Sequence, residues 1–345
     1  MRKVVVGLAK VSVSIAIVVW LFWDALSDDP EAVSRLSAGE KNWWVLVVAG
    51  AACSTAIGIT LVRWYFLVRA LGLPFRMKDA FRIGFVGYLF NMAPMGIVGG
   101  DLVKALMLAR EQHGRRAEAV ASIIVDRVVG LYTLFVLATA AIFAAGFWSA
   151  ADKDVRYVCH AAVVVTAVAT LGIAALLGPE AVVGRLVRLV GRAPLAGPPL
   201  EKLIVAVRMY RHRLPVLFAA GLMSLAVHSL FSTGIHLIAH SLPGTALSLQ
   251  QHFVVAPLSA ITNIIPLPAG PQEGALKFLY GVLAAAPLKG LVVSLAYRII
   301  TLVIAAAGIG YYLTSRREVA AVLQEAEAEE DAVPGRPILV SGPAA

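Results

Sequence analysis

The chain has 345 residues, of which 59% are hydrophobic and 15% charged, with a mean hydropathy of +0.81. A soluble domain carries roughly 25% charged residues, so this composition excludes an ordinary soluble protein and predicts an all-α integral membrane protein. The net charge of +9 does not point to nucleic acid, because the basic residues fall in short runs between apolar stretches, as the positive-inside bias requires.

Six apolar runs, near 3–23, 43–68, 118–146, 158–178, 215–241 and 290–313, are close to the length that crosses a bilayer core, and predict six transmembrane helices. The first follows Arg2 and Lys3 and reads as a retained span rather than a cleaved signal peptide, since it is long enough to cross and no small-x-small site ends it. Trp20, Trp23, Trp43 and Trp44 flank the first loop, where an aromatic belt is expected. That loop, 24–42, is acidic and is predicted outside. The 63–82 connection carries Arg63, Arg69, Arg76, Lys78 and Arg82, and the 104–116 segment carries Lys104, Arg110, Arg115 and Arg116, so both are predicted inside. The stretch between them must then enter and leave by one face. Its Gly84, Gly87, Pro94, Gly96, Gly99 and Gly100 are residues that break a helix, and a re-entrant hairpin over 83–100 is expected.

Residues 180–214 are again basic and inside. Their pieces around Val182–Arg192 read either as amphipathic segments on the inner surface or as ordinary loop charge. The uncharged 242–251 loop is predicted outside, and a second Gly/Pro-broken stretch, 252–286, dips in from that side. Three spans separate the two broken stretches. An odd number reverses orientation, which predicts an inverted-topology repeat with both termini cytoplasmic. Residues 1–315 form the membrane domain, and 316–345, with its acidic run and Pro/Gly end, reads as a disordered cytoplasmic tail. Cys53 and Cys159 form neither a metal-binding spacing nor a disulfide framework.

The two broken stretches carry the same pattern. Asn91-x-x-Pro94 leads after six residues to Asp101, and Asn263-x-x-Pro266 leads after six residues to Glu273. A hydrophobic helix carrying a buried-looking arginine follows each, Arg127 at 26 positions and Arg298 at 25. Broken apolar segments in corresponding places of two halves point to a transport site. Ionisable groups at such depth face a partner, a cavity or a substrate. Asp126 and Arg127 are neighbours, about 100° apart on a helix, so each seeks a partner elsewhere, and Asp101 and Glu273 are the natural ones for the arginines. Two readings stay open: structural ion pairs that lock helices, or a site that binds an anionic head group. Gly99-Gly100-Asp101 opens a short helix, with Asp101 either a plain N-cap or, with Lys104 and the helix start, part of an anion site. His236 and His240 share a helical face near His228, but no third ligand completes a metal site, and no cofactor is indicated. No nucleophile elbow, phosphate-binding loop or zinc-protease motif occurs, so no enzyme is expected.

Three motifs carry a family resemblance: Pro94-(x4)-Gly99-Gly100-Asp101-x-x-Lys104, Ser122-(x3)-Asp126-Arg127-x-x-Gly130, and Pro266-x-Pro268 with Glu273. In these the chain resembles, over roughly 1–315, the flippase-like family built on the transmembrane region of lysylphosphatidylglycerol synthases. The resemblance implies a multi-span inner-membrane protein that moves a lipid between leaflets, with glycosyltransferases or lipid-modifying enzymes as partners. The second motif, Ala269-Gly270-Pro271-Gln272-Glu273, is less glycine-rich and shorter than the family's pattern. Residues 316–345 leave no room for the aminoacyl-transferase domain of the full-length synthases, so lysyl transfer is not expected.

The expected function is transport of an amphiphilic, phosphate-headed lipid. Arg127, Arg298 and Lys104 would neutralise the head. Asp101, Glu273 and Asp126 would hold those cations in the empty site, and the elements around Asn91, Pro94, Gly99, Gly100, Asn263 and Pro266 would supply the bends. The alternatives are an intramembrane enzyme acting on a polyprenyl-phosphate lipid, with Asp101 or Glu273 as base, and a non-transporting scaffold for lipid-modifying enzymes.

Overall fold

The computed structural model describes residues 2–28, 34, 39–92, 99–112, 114–181, 183–184, 197–265 and 267–332. Among these there are eleven α-helices and two single 3-10 turns. In chain order they are α1 (Arg2–Asp28), α2 (Trp43–Ala70), α3 (Met77–Met92), α4 (Gly100–Glu111), α5 (Arg116–Ala144), α6 (Lys153–Leu177), α7 (Gly197–Met209), α8 (Leu214–Ser241), α9 (Leu249–Ile261), α10 (Pro271–Ala284) and α11 (Pro287–Ala332). Six of them, α1, α2, α5, α6, α8 and α11, are long and apolar enough to cross a membrane. They coincide with the six apolar runs. Helix α2, with 28 residues, is about 42 Å long at 1.5 Å per residue, against a hydrocarbon core of about 30 Å. Trp20, Trp23, Trp43 and Trp44 are exposed, as are Leu171 and Phe218 in mid-helix. So much bare apolar surface on helices of this length is what lipid covers, and the chain is a multi-pass membrane protein.

The helices fall into two compact units. The second unit (Leu61–Val128, Ala174–Ala220, Ala305–Ala345) holds α3 and α4, packed on each other. Its core gathers Trp64, Phe75, Ile83, Val86, Met107 and Leu108. The α3–α4 contact is backbone to backbone. A Cβ on Gly100 would lie 1.7 Å from the Gly87 carbonyl oxygen, and one on Gly87 would lie 2.9 Å from that of Gly100. Gly84 leaves room for Leu61 in the same way, since a Cβ there would come within 2.4 Å of the leucine side chain. This corrects the reading of Gly84 and Gly87 as breakers. Both lie inside an unbroken α3 and serve close packing; residues 93–98, with Pro94 and Gly96, lie outside the described residues.

The first unit (Met1–Thr60, Val129–Ile173, Gly221–Ile304) holds α9, α10 and α1, with α10 packed on both of the others. Its core includes Ile142, Ile235, Ile238, Val254, Leu276 and Tyr280. Gly290 lets the start of α11 approach α10, since a Cβ there would sit 2.4 Å from the Leu276 carbonyl oxygen. Gly270, at φ 113°, makes the turn into α10 in a conformation that an L side chain resists.

Helix α11 runs on through Ala332, so the stretch after 315 is helical where a disordered tail is expected; residues 333–345 lie outside the described residues, as do 185–192 of the basic loop. Alanine and glutamate favour helix, and Val319 and Val322 are fully buried in the second unit's core. Arg82 of α3 fixes the same stretch. It bonds Glu318 at 2.6 Å and the Ser315 hydroxyl at 3.3 Å, and it also pairs with Glu111. Burial raises the Glu111 carboxyl above its usual range, against the pull of the Arg82 guanidinium.

Candidate functional site

Each copy of the repeated pattern builds the same local construction. In the second unit, Gly99 leads into α4 with no side-chain cap, and the Gly100 N–H donates to Asn91 Oδ1 at 2.9 Å. Asp101, next in sequence, takes both arms of Arg127 from α5: Nη2 to Oδ1 at 2.5 Å and Nε to Oδ2 at 2.5 Å. In the first unit, Asn263 Nδ2 donates to Gln272 Oε1 at 3.1 Å, the residue just before Glu273. Glu273 pairs with Arg298 Nε, and Arg298 Nη1 donates to the Pro268 carbonyl at 2.7 Å. In both copies an asparagine reaches across the broken segment to the residue before the carboxylate, and the carboxylate holds the downstream arginine. Pro266 lies outside the described residues.

The copies differ in how closed they are. The Arg127 and Asp101 side chains are 56% and 36% exposed, those of Arg298 and Glu273 only 19% and 1%. Glu273 also accepts the Gly270 N–H at 2.7 Å, so it caps its own helix while it holds the arginine. Among the described residues Asp101 accepts no such backbone N–H beside Arg127.

Two partners are absent from the sequence reading. Asp126 does not wait for a distant cation, because Arg63 of α2 donates from Nε to its Oδ1 at 2.9 Å and from Nη2 to its carbonyl at 3.3 Å, with both side chains about 95% covered. Arg63 counts as loop charge in the sequence. The signal that betrays it is its setting, Leu61-Val62-Arg63-Trp64-Tyr65-Phe66-Leu67, one charge inside an apolar run. Asp24, at the end of α1, likewise looks like loop charge but pairs with Lys277 of α10.

Lys104, on α4, is buried with 6% exposure, and its Nζ stands 4.3 Å from the centroid of the Trp64 ring. Ser122 accepts the Trp64 indole N–H at 3.4 Å and gives its own proton to the Ala119 carbonyl, which fixes the ring. His228 bonds the Gly130 carbonyl at 2.9 Å. His236 faces His240 and His252, and the His252 Nε2 meets the Tyr280 hydroxyl at 2.7 Å. Among the described residues no group of three or more His, Cys, Asp or Glu could hold a metal ion.

The bidentate Arg127–Asp101 pair beside a helix start can exchange one oxyanion for another, since phosphate offers the guanidinium the same two-oxygen edge. No curated protein and no solved structure matches the chain. The profile of the lysylphosphatidylglycerol synthase TM region matches residues 7–308, and the chain belongs to that family.

Proposed function

We propose that this protein carries an amphiphilic lipid with an anionic, phosphate-bearing head between membrane leaflets, and that it is a transporter rather than an enzyme. The observation that carries the reading is the twofold construction of asparagine bridge, helix-start carboxylate and arginine, made once in each unit: Asp101–Arg127 and Glu273–Arg298. In the empty protein each carboxylate holds its arginine. At a pair that opens, an arriving phosphate takes the guanidinium edge, and the carboxylate so freed is available to take up a proton.

Helices α3, α4, α9 and α10, with 16, 12, 13 and 14 residues, are about 18–24 Å long, too short to cross alone. The reading makes α3–α4 and α9–α10 re-entrant pairs. The three spans α5, α6 and α8 between them then set the pairs on opposite faces as an inverted repeat, the plan on which alternating access is built. Loop charge puts both termini on the cytoplasmic side of the inner membrane, where enzymes that make or modify the lipid would supply it.

The test is transport of fluorescent phosphatidylglycerol in proteoliposomes, read by dithionite quenching of the outer leaflet. The full chain should equilibrate the leaflets well above the protein-free rate, and Arg127→Met and Arg298→Met should each slow it. A wild-type rate equal to that of empty vesicles, or undiminished rates in both variants, would overturn the proposal.

A further inference from the structure

We infer that the anionic head is received by the first copy of the motif alone, at the start of α4, with Lys104 as its receptor cation. This rests on the lipid-transport reading and specifies which of its two motifs binds the phosphate.

The charged groups that act on Lys104 are Asp126, Asp101, Arg127 and Arg63, so the cluster around it has three cations to two carboxylates. Both carboxylates are taken, Asp126 by Arg63 and Asp101 by Arg127. Lys104 is left over. It is 6% exposed, and among the described residues it makes neither an ion pair nor a hydrogen bond; its ammonium has only the face of Trp64. A ring face returns part of what water gives an ammonium, but leaves its three donors unused.

The stem of the side chain lies along the first turn of its own helix. Its Cγ and Cδ lie 2.4 and 2.7 Å from where a Gly87 Cβ would stand, and the Gly100 carbonyl oxygen borders that same point at 2.9 Å. The stem thus runs back along the α3–α4 crossing, beside the first turn, and Gly87 is the residue that makes room for it. There it lies beside the electropositive start of a 12-residue helix, whose N-cap Gly99 has no side chain to offer and whose Gly100 N–H alone is taken by Asn91, with the Arg127 fork on the next residue, Asp101.

The corresponding charges of the first unit cancel. Arg298 pairs with Glu273 and Lys277 with Asp24. Lys289, also buried there, gives its hydrogens to the Leu242 and Pro243 carbonyls at 2.6 Å each. An anion at that motif must evict a carboxylate. At the α4 motif it meets a cation already desolvated and unoccupied, with Arg127 able to close on a second oxygen.

The experiment titrates the full chain, purified in detergent, with dihexanoyl phosphatidic acid, inorganic phosphate and dihexanoyl phosphatidylcholine by calorimetry. Wild type should bind about one phosphatidic acid per chain. Lys104→Gln should weaken binding about tenfold or more, Lys104→Arg should keep most of it, and the paired Asp24→Asn/Lys277→Gln variant should match wild type. Unchanged affinity in Lys104→Gln, or an equal loss in the paired variant, would overturn the inference. Inorganic phosphate binding as tightly as phosphatidic acid would overturn the lipid head as the ligand. Lys104→Met separates receptor from strut. Its melting temperature without lipid should equal or exceed wild type while the lipid-induced rise vanishes, whereas a lowered melting temperature would mark a structural lysine and count against the receptor. Undiminished phosphatidylglycerol transport by Lys104→Gln would sink this inference alone. Lys104-dependent binding without transport in wild type would support it and count against the transport reading instead.

Discussion

Replacing Arg63 by methionine should damage the fold far more than the same change at Arg127, although Asp126, the partner of Arg63, is the sequence neighbour of Arg127. The Arg63 and Asp126 side chains are 5% and 4% exposed, and Arg63 supplies hydrogen bonds to both the Asp126 carboxylate and its carbonyl. Arg63→Met strands that carboxylate, and removing one partner of a buried pair costs about 3–5 kcal/mol. Arg127 and Asp101 are 56% and 36% exposed, and pairs open to this degree contribute about 0.2–1 kcal/mol. Double-mutant cycles over Arg63→Met with Asp126→Leu, and over Arg127→Met with Asp101→Asn, separate the two cases by reversible unfolding in mixed micelles. The first cycle should return a coupling of about 2 kcal/mol or more, the second under about 1 kcal/mol. Transport should rank the other way. The Arg63→Met/Asp126→Leu protein should still move lipid, since apolar packing can replace a buried pair, while Arg127→Met should not. Equal couplings at the two pairs, or the larger one at Arg127, would refute the division into a lock and a binding pair.

Gly100→Ala should cost about 1–3 kcal/mol or more, because its Cβ would meet the Gly87 carbonyl at 1.7 Å, whereas Gly99→Ala, with nothing within 4 Å, should cost under about 1 kcal/mol; the yield of monodisperse protein ranks them, and equal yields would sink the packing argument. In a background lacking Cys53 and Cys159, cysteines at exposed Thr245 and Arg110 should label only from outside and only from inside respectively, and either result reversed would end the inverted-repeat topology. Because burial raises the Glu111 carboxyl, its contribution to stability is complete below the ordinary glutamate value of about 4.3 and is lost as pH rises through the higher folded value. Glu111→Gln should therefore match wild type in acid and melt no lower at neutral pH, and a lower neutral melting temperature would show the Arg82 pair outweighing burial.

The spans were readable because hydropathy over about 20 residues is a one-dimensional property, and the Asp101–Arg127 and Glu273–Arg298 pairs because nearly equal spacings, 26 and 25 positions, in two copies constrain both. What escaped depends on the third dimension. Gly84 and Gly87 have the composition of a break, yet a glycine inside a helix serves equally to admit a neighbour, and only the Leu61 and Gly100 contacts tell the two apart. Arg63 and Asp24 sit near span ends, where a charge normally meets water. Their burial follows from Asp126 and Lys277 arriving on other helices, which no local pattern encodes. The end of α11 escaped for the reverse reason: the stretch after 315 reads as a polar tail, but Val319 and Val322, just before its acidic run, are spaced to face one side and join a core there.

The two motifs share a spacing but cannot share a role, because their carboxylates are not equally free to leave. If Arg298 turned to a phosphate, Glu273 would stay, since the Gly270 N–H depends on it and Gly270 is held at φ 113° in the turn that starts α10. A carboxylate fixed beside an incoming anion repels it. Among the described residues Asp101 has no backbone N–H to serve: Asn91 satisfies the Gly100 N–H, and the N-cap is Gly99, which has no side chain. It can swing away or accept a proton without orphaning a buried donor, and the unpaired Lys104 offsets the charge that arrives. A protein that must bind and then release a lipid head needs one site that yields and one that does not. Substituting Gly270 or Glu273 should therefore disturb the packing of α10 before it alters affinity, whereas changes at Asp101 should alter affinity for the anionic head while the helix start stays intact.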